Sequence, residues 1–152
     1  MAPSQEVGSP RSAWGIQSDV GAGSSVGKKF ALLAGSVYVG IGVIGFFFTG
    51  FSNFTESTGN ALFGIFHLTP FHNIVHIGVG ALWLIAALTL SPRATSGVNI
   101  GIAGVYVVAA VVGYLGALEF LGIRPGFGDS DFYLHLVTGV VTLLVGLIPT
   151  RD

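Results

Sequence analysis

The stretch FALLAGSVYVGIGVIGFFFT, residues Phe30–Thr49, is uncharged from end to end. About 20 apolar residues in a helix cross the roughly 30 Å hydrocarbon core of a bilayer. The stretch lacks the period-two alternation of a barrel strand and is too long for one. It therefore predicts a transmembrane helix.

Three further segments have the same character, namely Phe71–Leu90, Val98–Leu121 and Phe132–Pro149, and Glu119 is their only charged residue. Only 9% of the 152 residues are charged and 51% are hydrophobic, whereas a soluble domain carries about 25% charged residues. We predict an all-α integral membrane protein whose four helices form a bundle over residues 30–152.

The remaining composition excludes several classes of protein. A net charge of -1 without a basic stripe argues against nucleic-acid binding. The absence of cysteine excludes disulfides, thiolate metal sites and cysteine nucleophiles. The sequence has no P-loop and no H-E-x-x-H motif.

Residues 1–29 are rich in Ser, Gly and Pro and carry five charged side chains, which predicts a flexible tail. Lysine and arginine near helix ends set membrane orientation. Lys28, Lys29, Arg93 and Arg151 fall on one predicted side, and Arg124 on the other. We expect both termini in the cytoplasm.

The two halves of the chain are weakly similar. A tyrosine precedes a glycine by seven residues in helices one and three, and a histidine precedes a glycine by four in helices two and four (Tyr38/Gly45, Tyr106/Gly113; His76/Gly80, His135/Gly139). This pattern predicts two tandem helical hairpins related by a parallel repeat. Chance similarity between Gly-rich apolar helices is the alternative.

The 24 glycines favour close helix packing, because small residues let backbones approach in lipid. The alternative is that glycine is simply common in membrane helices. The candidate packing positions are Gly35, Gly40, Gly80, Gly101, Gly113 and Gly139.

Ionisable residues gather near the ends of helices two, three and four that alternation places on the extracytoplasmic side. They are His72, His76, Glu119, Asp131 and His135, with Asn73 as a neighbouring hydrogen-bonding group. Intramembrane ionisable residues suggest function by default.

Three interpretations of this cluster compete. The groups can act structurally, by hydrogen bonding between helices, with Asp131 holding one tautomer of His135. They can bind a divalent metal through nitrogen and oxygen ligands. They can also bind haem through a facing pair such as His76 and His135. A proton relay or a bound ligand is a further interpretation.

Short loops leave little room for a soluble catalytic site, so we expect a non-enzymatic protein. We expect a lipid bilayer to surround the protein. The Gly-rich helix faces favour contact with other membrane proteins, and therefore an accessory role in a larger complex. The alternative is a haem- or metal-binding protein. A transporter is disfavoured, because it requires polar groups near the bilayer midplane.

The runs NALFGIFH at residues 60–67, PFHNIVH at 70–76 and DFYLHLVTG at 131–139 resemble a family of small bacterial membrane proteins, catalogued as domain of unknown function 4383. The resemblance covers about residues 29–149, and His72, Asn73, His76 and His135 match its motif. It implies four helices and a bacterial plasma-membrane location, and it implies no activity.

Overall fold

The computed structural model describes residues 23–57, 59 and 61–150. Within these ranges the chain forms four helices and one small antiparallel hairpin of strands: α1 Val26–Thr49, β1 Ala61–Leu62, β2 Phe66–His67, α2 Pro70–Thr89, α3 Pro92–Tyr114 and α4 Ser130–Gly146. The predicted all-α membrane bundle is confirmed.

The helices differ in length. Helices α1, α2 and α3 are long and apolar enough to cross a membrane, and α4 is a shorter apolar helix of 17 residues. At about 1.5 Å per residue, α4 lies at the lower limit of the spanning range of roughly 17–25 residues.

Helix α1 begins at Val26, earlier than the predicted Phe30, because Ser25 caps it by accepting from the Lys28 backbone N–H. Lys28 is therefore a buried helical residue and not part of a tail. Its ammonium donates to the Leu90 carbonyl at the end of α2, at 3.0 Å. Residues 1–22 of the predicted tail lie outside the described residues.

Helix α3 begins at Pro92, six residues before the predicted start, and ends at Tyr114 instead of Leu121. The apolar run continues beyond Tyr114, but Gly116 and Gly122 adopt φ values of +86° and +89°, which helical residues do not. Residues Glu119–Leu121 form a separate 3₁₀ turn. Helices α2 and α3 are linked only by Leu90 and Ser91.

The bundle consists of two antiparallel hairpins, because α1 packs chiefly along α2 and α3 along α4. A Cβ on Gly35 would lie 2.7 Å from the Gly80 carbonyl, and a Cβ on Gly139 would lie 2.9 Å from Val107. These glycines therefore let the helix backbones approach closely.

Three other glycines on the predicted list differ from one another. A Cβ on Gly113 would meet Ile123 at 3.1 Å, but nothing in the described structure lies within 4 Å of a Cβ on Gly40 or Gly101. Gly40 is five residues from Gly35, so at about 100° per residue it faces away from α2. Among the described residues, neither Gly40 nor Gly101 is at a close contact between helices.

The buried core lies where α1, α2 and α3 meet, and it is built from Ala31, Tyr38, Trp83, Ala87, Ile102 and Tyr106. Trp83 Nε1 donates to Asn99 Oδ1 at 3.0 Å, and Asn99 Nδ2 donates to the Gly27 carbonyl at 3.2 Å. These two hydrogen bonds connect the two hairpins through polar groups inside the bundle.

Candidate functional site

A cleft of about 280 Å³ separates α2 from α3 at the end of the bundle opposite the Leu90–Ser91 link. The link connects the two helices at one end. Because α2 packs mainly on α1, and α3 mainly on α4, a gap remains between α2 and α3 at the other end. Aliphatic residues form most of its wall, namely Val75, Val79, Val105, Val108, Ala109, Val112, Leu118 and Leu121.

The polar part of the cleft is formed by His72, His76, Tyr106 and His135. The His72 and His76 rings, one turn apart on α2, have centroids 4.4 Å apart. The His135 ring on α4 lies 6.1 Å from His72. The structure therefore brings together the three histidines that the sequence singled out.

Two of these rings have a defined tautomer when uncharged. His72 Nδ1 lies 3.0 Å from the Leu121 carbonyl, and His135 Nδ1 lies 2.6 Å from the Asp131 carbonyl. A carbonyl oxygen only accepts hydrogen bonds, so each Nδ1 carries the hydrogen and each Nε2 presents a lone pair. Neither Nε2 has a hydrogen-bond partner in the described structure.

His76 is different, because neither of its ring nitrogens has a partner among the described residues although both are buried. Its ring contacts Tyr38 edge to face, with centroids 5.3 Å apart. An unsatisfied buried polar group costs about 1–3 kcal/mol. His76 lines the cleft and thus has hydrogen-bonding capacity that the described residues do not use.

Tyr38 and Tyr106 were not predicted as site residues, although both stood out in the hairpin repeat. The Tyr106 ring lies 5.4 Å from His135 and nearly parallel to it, at 29°. Tyr38 contacts Tyr106 at 5.7 Å and pairs its hydroxyl with Thr138 at 3.1 Å. The repeated tyrosine was therefore a signal for the site as well as for packing.

The two predicted carboxylates do not line the cleft. Glu119 is exposed on the 3₁₀ turn. Asp131 is 0% exposed, and neither side-chain oxygen has a partner within the described ranges. Its main-chain carbonyl, and not its carboxylate, holds the His135 ring.

The nearby Asp129, which the sequence analysis did not select, caps α4. Its carboxylate accepts from the Asp131 backbone N–H at 2.8 Å. It also accepts from the backbone N–H of Arg124 at 2.9 Å and lies 3.4 Å from the Arg124 guanidinium. Asp129 positions the start of α4, from which His135 projects.

Asn73 lies outside the cleft, where α1 meets α2. Its amide donates to Thr49 Oγ1 at 2.8 Å. A Cβ on Gly45 would collide with this amide, so a glycine is needed there. The predicted hydrogen-bonding role of Asn73 corresponds to a contact within the first hairpin.

The geometry gives no support to a metal-ion site among the described residues. In the part of the chain that is described, no group of three or more His, Asp or Glu side chains is arranged to hold a metal ion.

Comparison with known proteins finds a matching family. The family model described as domain of unknown function (DUF4383) matches residues 28–148. No curated protein and no solved structure matches the chain.

Proposed function

From the premise that this chain belongs to the family described as domain of unknown function (DUF4383), we propose that it is a non-enzymatic membrane protein that binds a lipid-soluble molecule in the cleft between its hairpins. The observation that carries the proposal is His76, which lines this cleft and whose two buried ring nitrogens have no partner in the described structure. Buried polar groups are normally paired. A ligand with a polar group would provide the missing partner.

The shape of the cleft supports an amphipathic ligand. Val105 and Val108, at its rim, are 62% and 59% exposed, so the cleft opens sideways toward the surrounding lipid. The volume of about 280 Å³ is close to the lower end of ligand sites, at roughly 300–1,000 Å³. A polar head at the histidines and an apolar tail along the valines would match this lining.

Binding is favoured over catalysis by the chemistry of the lining. It contains histidines, one tyrosine and aliphatic residues, and no carboxylate, serine or lysine of the described ranges lines it. The nucleophile and base pairs on which most hydrolases rely therefore have no counterpart there.

The proposed orientation places the histidine end in the extracytoplasmic half of a bacterial plasma membrane, with both termini in the cytoplasm. Lys28 and Arg93 lie at the opposite end of the bundle, around Leu90. Cytoplasmic ends of membrane helices carry an excess of Lys and Arg. This distribution supports the orientation, which a C-terminal reporter fusion tests.

Extraction and mass spectrometry of lipids that remain bound after purification in mild detergent test the binding proposal. Val108→Phe adds bulk at the cleft, and Val111→Phe makes the same change at an exposed position on α3 that does not line it. We expect a lipid-soluble compound to be retained by the wild type and Val111→Phe, and largely lost from Val108→Phe. Equal retention by all three proteins, or retention by none, would refute the proposal.

The same preparation addresses two remaining interpretations. A Soret band or a stoichiometric metal would favour the haem- or metal-binding alternative. An accessory role in a larger complex stays a prediction, and proteins that co-purify in stoichiometric amount would support it.

A further inference from the structure

The hydrogen-bonding pattern of the cleft restricts the head group of its ligand. His72 and His135 each commit the Nδ1 hydrogen to a main-chain carbonyl, at 3.0 Å and 2.6 Å. Both uncharged rings therefore offer an acceptor at Nε2. A carbonyl, an ether or a carboxylate has no hydrogen to donate to these atoms, whereas a hydroxyl group does.

Charge restricts the head group further. No Lys, Arg, Asp or Glu of the described residues lines the cleft. An ionised head group would be taken out of water without a countercharge, which is strongly unfavourable. Phospholipid head groups, fatty-acid carboxylates and quaternary amines are thereby disfavoured, and a neutral hydroxyl is favoured.

The arrangement of rings favours a flat head group. The His72 and His135 planes differ by 13°, and the His135 and Tyr106 planes differ by 29°. These three aromatic residues line the cleft, and an aromatic head group gains more from packing against such rings than its buried area alone provides. An aromatic alcohol meets this requirement better than an aliphatic one.

We propose that the ligand is a membrane hydroquinone, a phenolic ring bearing an apolar chain, and that the site favours this reduced form over the quinone. One phenolic hydroxyl donates to the Nε2 atom of His72 or His135, and the ring stacks near Tyr106. The apolar chain leaves past Val105 and Val108 toward lipid. This inference rests on the proposed function and adds the chemical class of the ligand.

The difference between the two oxidation states follows from hydrogen count. A hydroquinone has two O–H donors, and the corresponding quinone has two carbonyl acceptors and no donor. A quinone would place carbonyl oxygens opposite the Nε2 lone pairs and leave them unsatisfied, which weakens its binding. A difference of 1.4 kcal/mol is a tenfold change in affinity.

Two matched pairs of probes test the class of ligand. The first pair is para-octylphenol and its methyl ether, which differ in the hydrogen-bond donor. The second pair is tetramethylhydroquinone, kept reduced, and tetramethylbenzoquinone. Binding is measured by isothermal titration calorimetry on the full chain in lipid nanodiscs, with the heat from empty nanodiscs subtracted.

We expect the phenol and the hydroquinone to bind about tenfold more tightly than the ether and the quinone. His135→Phe keeps a ring but removes the acceptor, so the preference for the donor should fall toward onefold. His72→Phe is the second variant should His135→Phe fail to fold, and Val111→Phe is the control that should keep the wild-type preference.

The possible outcomes distinguish failure of the hydroquinone assignment from failure of the proposed binding function. Equal affinity within each pair, or tighter binding of the ether and the quinone, would overturn the hydroquinone assignment. If none of the four probes binds while another lipid is retained by the purified protein, the assignment is wrong and the proposed function stands. If no probe binds and no lipid is retained, both proposals fall.

Discussion

The imidazole rings of His72, near the start of α2, and His135, near the start of α4, lie nearly parallel, with centroids 6.1 Å apart and planes 13° apart. One ring belongs to each hairpin, so the pair marks where the two hairpins face each other. Each ring is held by a main-chain carbonyl. The bundle thus orients both side chains without using their Nε2 atoms.

The unpartnered nitrogens of His76 predict a conflict between stability and binding. His76→Phe removes two buried polar atoms that have no partner in the described structure, so the ligand-free variant should be more stable by about 1–3 kcal/mol. The same change should reduce ligand retention. Unfolding in detergent and mass spectrometry of extracted lipid measure the two effects.

His67→Phe serves as the control for that prediction, because His67 lies on β2 and does not line the cleft. It should leave ligand retention unchanged. A His76→Phe protein that is destabilised yet retains its ligand would contradict the role given to His76.

Close approach of α1 and α2 predicts a strong effect of Gly80→Ala. A Cβ there would lie 2.7 Å from the Val39 backbone nitrogen, so the helices must move apart, at a cost of about 1–3 kcal/mol. Gly78→Ala is the matched control on the same helix, since nothing lies within 4 Å of its Cβ. Thermal unfolding in detergent should show a lower midpoint for Gly80→Ala only, and equal midpoints would contradict this packing.

The Trp83–Asn99 hydrogen bond predicts a coupled pair. Trp83→Phe leaves Asn99 Oδ1 without the donor that lies 3.0 Å away, and interhelical hydrogen bonds in membranes contribute about 1–2 kcal/mol in model peptides. Asn99→Leu should cost a similar amount. A double-mutant cycle on unfolding free energies should show that the double variant loses less than the two single losses combined, and strict additivity would count against the bond.

The Lys28 ammonium predicts different behaviour for two adjacent lysines. Lys28→Met removes the donor to the Leu90 carbonyl and a cation from the end of α2, with an expected loss of about 0.3–1 kcal/mol. Lys29→Met removes the same charge from an exposed position and should have little effect. The comparison uses urea unfolding in mild detergent, and equal losses would argue that net charge and not this contact matters.

The sequence predicted the membrane bundle well, because hydrocarbon thickness imposes long uncharged runs such as Phe30–Thr49. It misplaced the end of α3, since the chain stays apolar past Tyr114 while Gly116 and Gly122 adopt left-handed φ values. An apolar composition does not show which glycines adopt such backbone conformations, so the end of the helix could not be predicted from it.

The site was predictable in part. Spacing of four residues placed His72 and His76 on one helix face, and the hairpin repeat pointed to His135. Glu119 and Asp131 were grouped with them because they lie near the same end of the bundle. The position of a residue along a helix axis does not determine the direction in which its side chain points. The structure places Glu119 at the surface and Asp131 outside the cleft lining.

Native mass spectrometry of the protein released from mild detergent tests the central claim most directly, because it counts small molecules bound to each 15.7 kDa chain. We predict one retained lipid-soluble molecule on the wild type and on Val111→Phe, and the bare chain mass for Val108→Phe. A bare mass for the wild type, or the same adduct on Val108→Phe as on the wild type, would contradict the account.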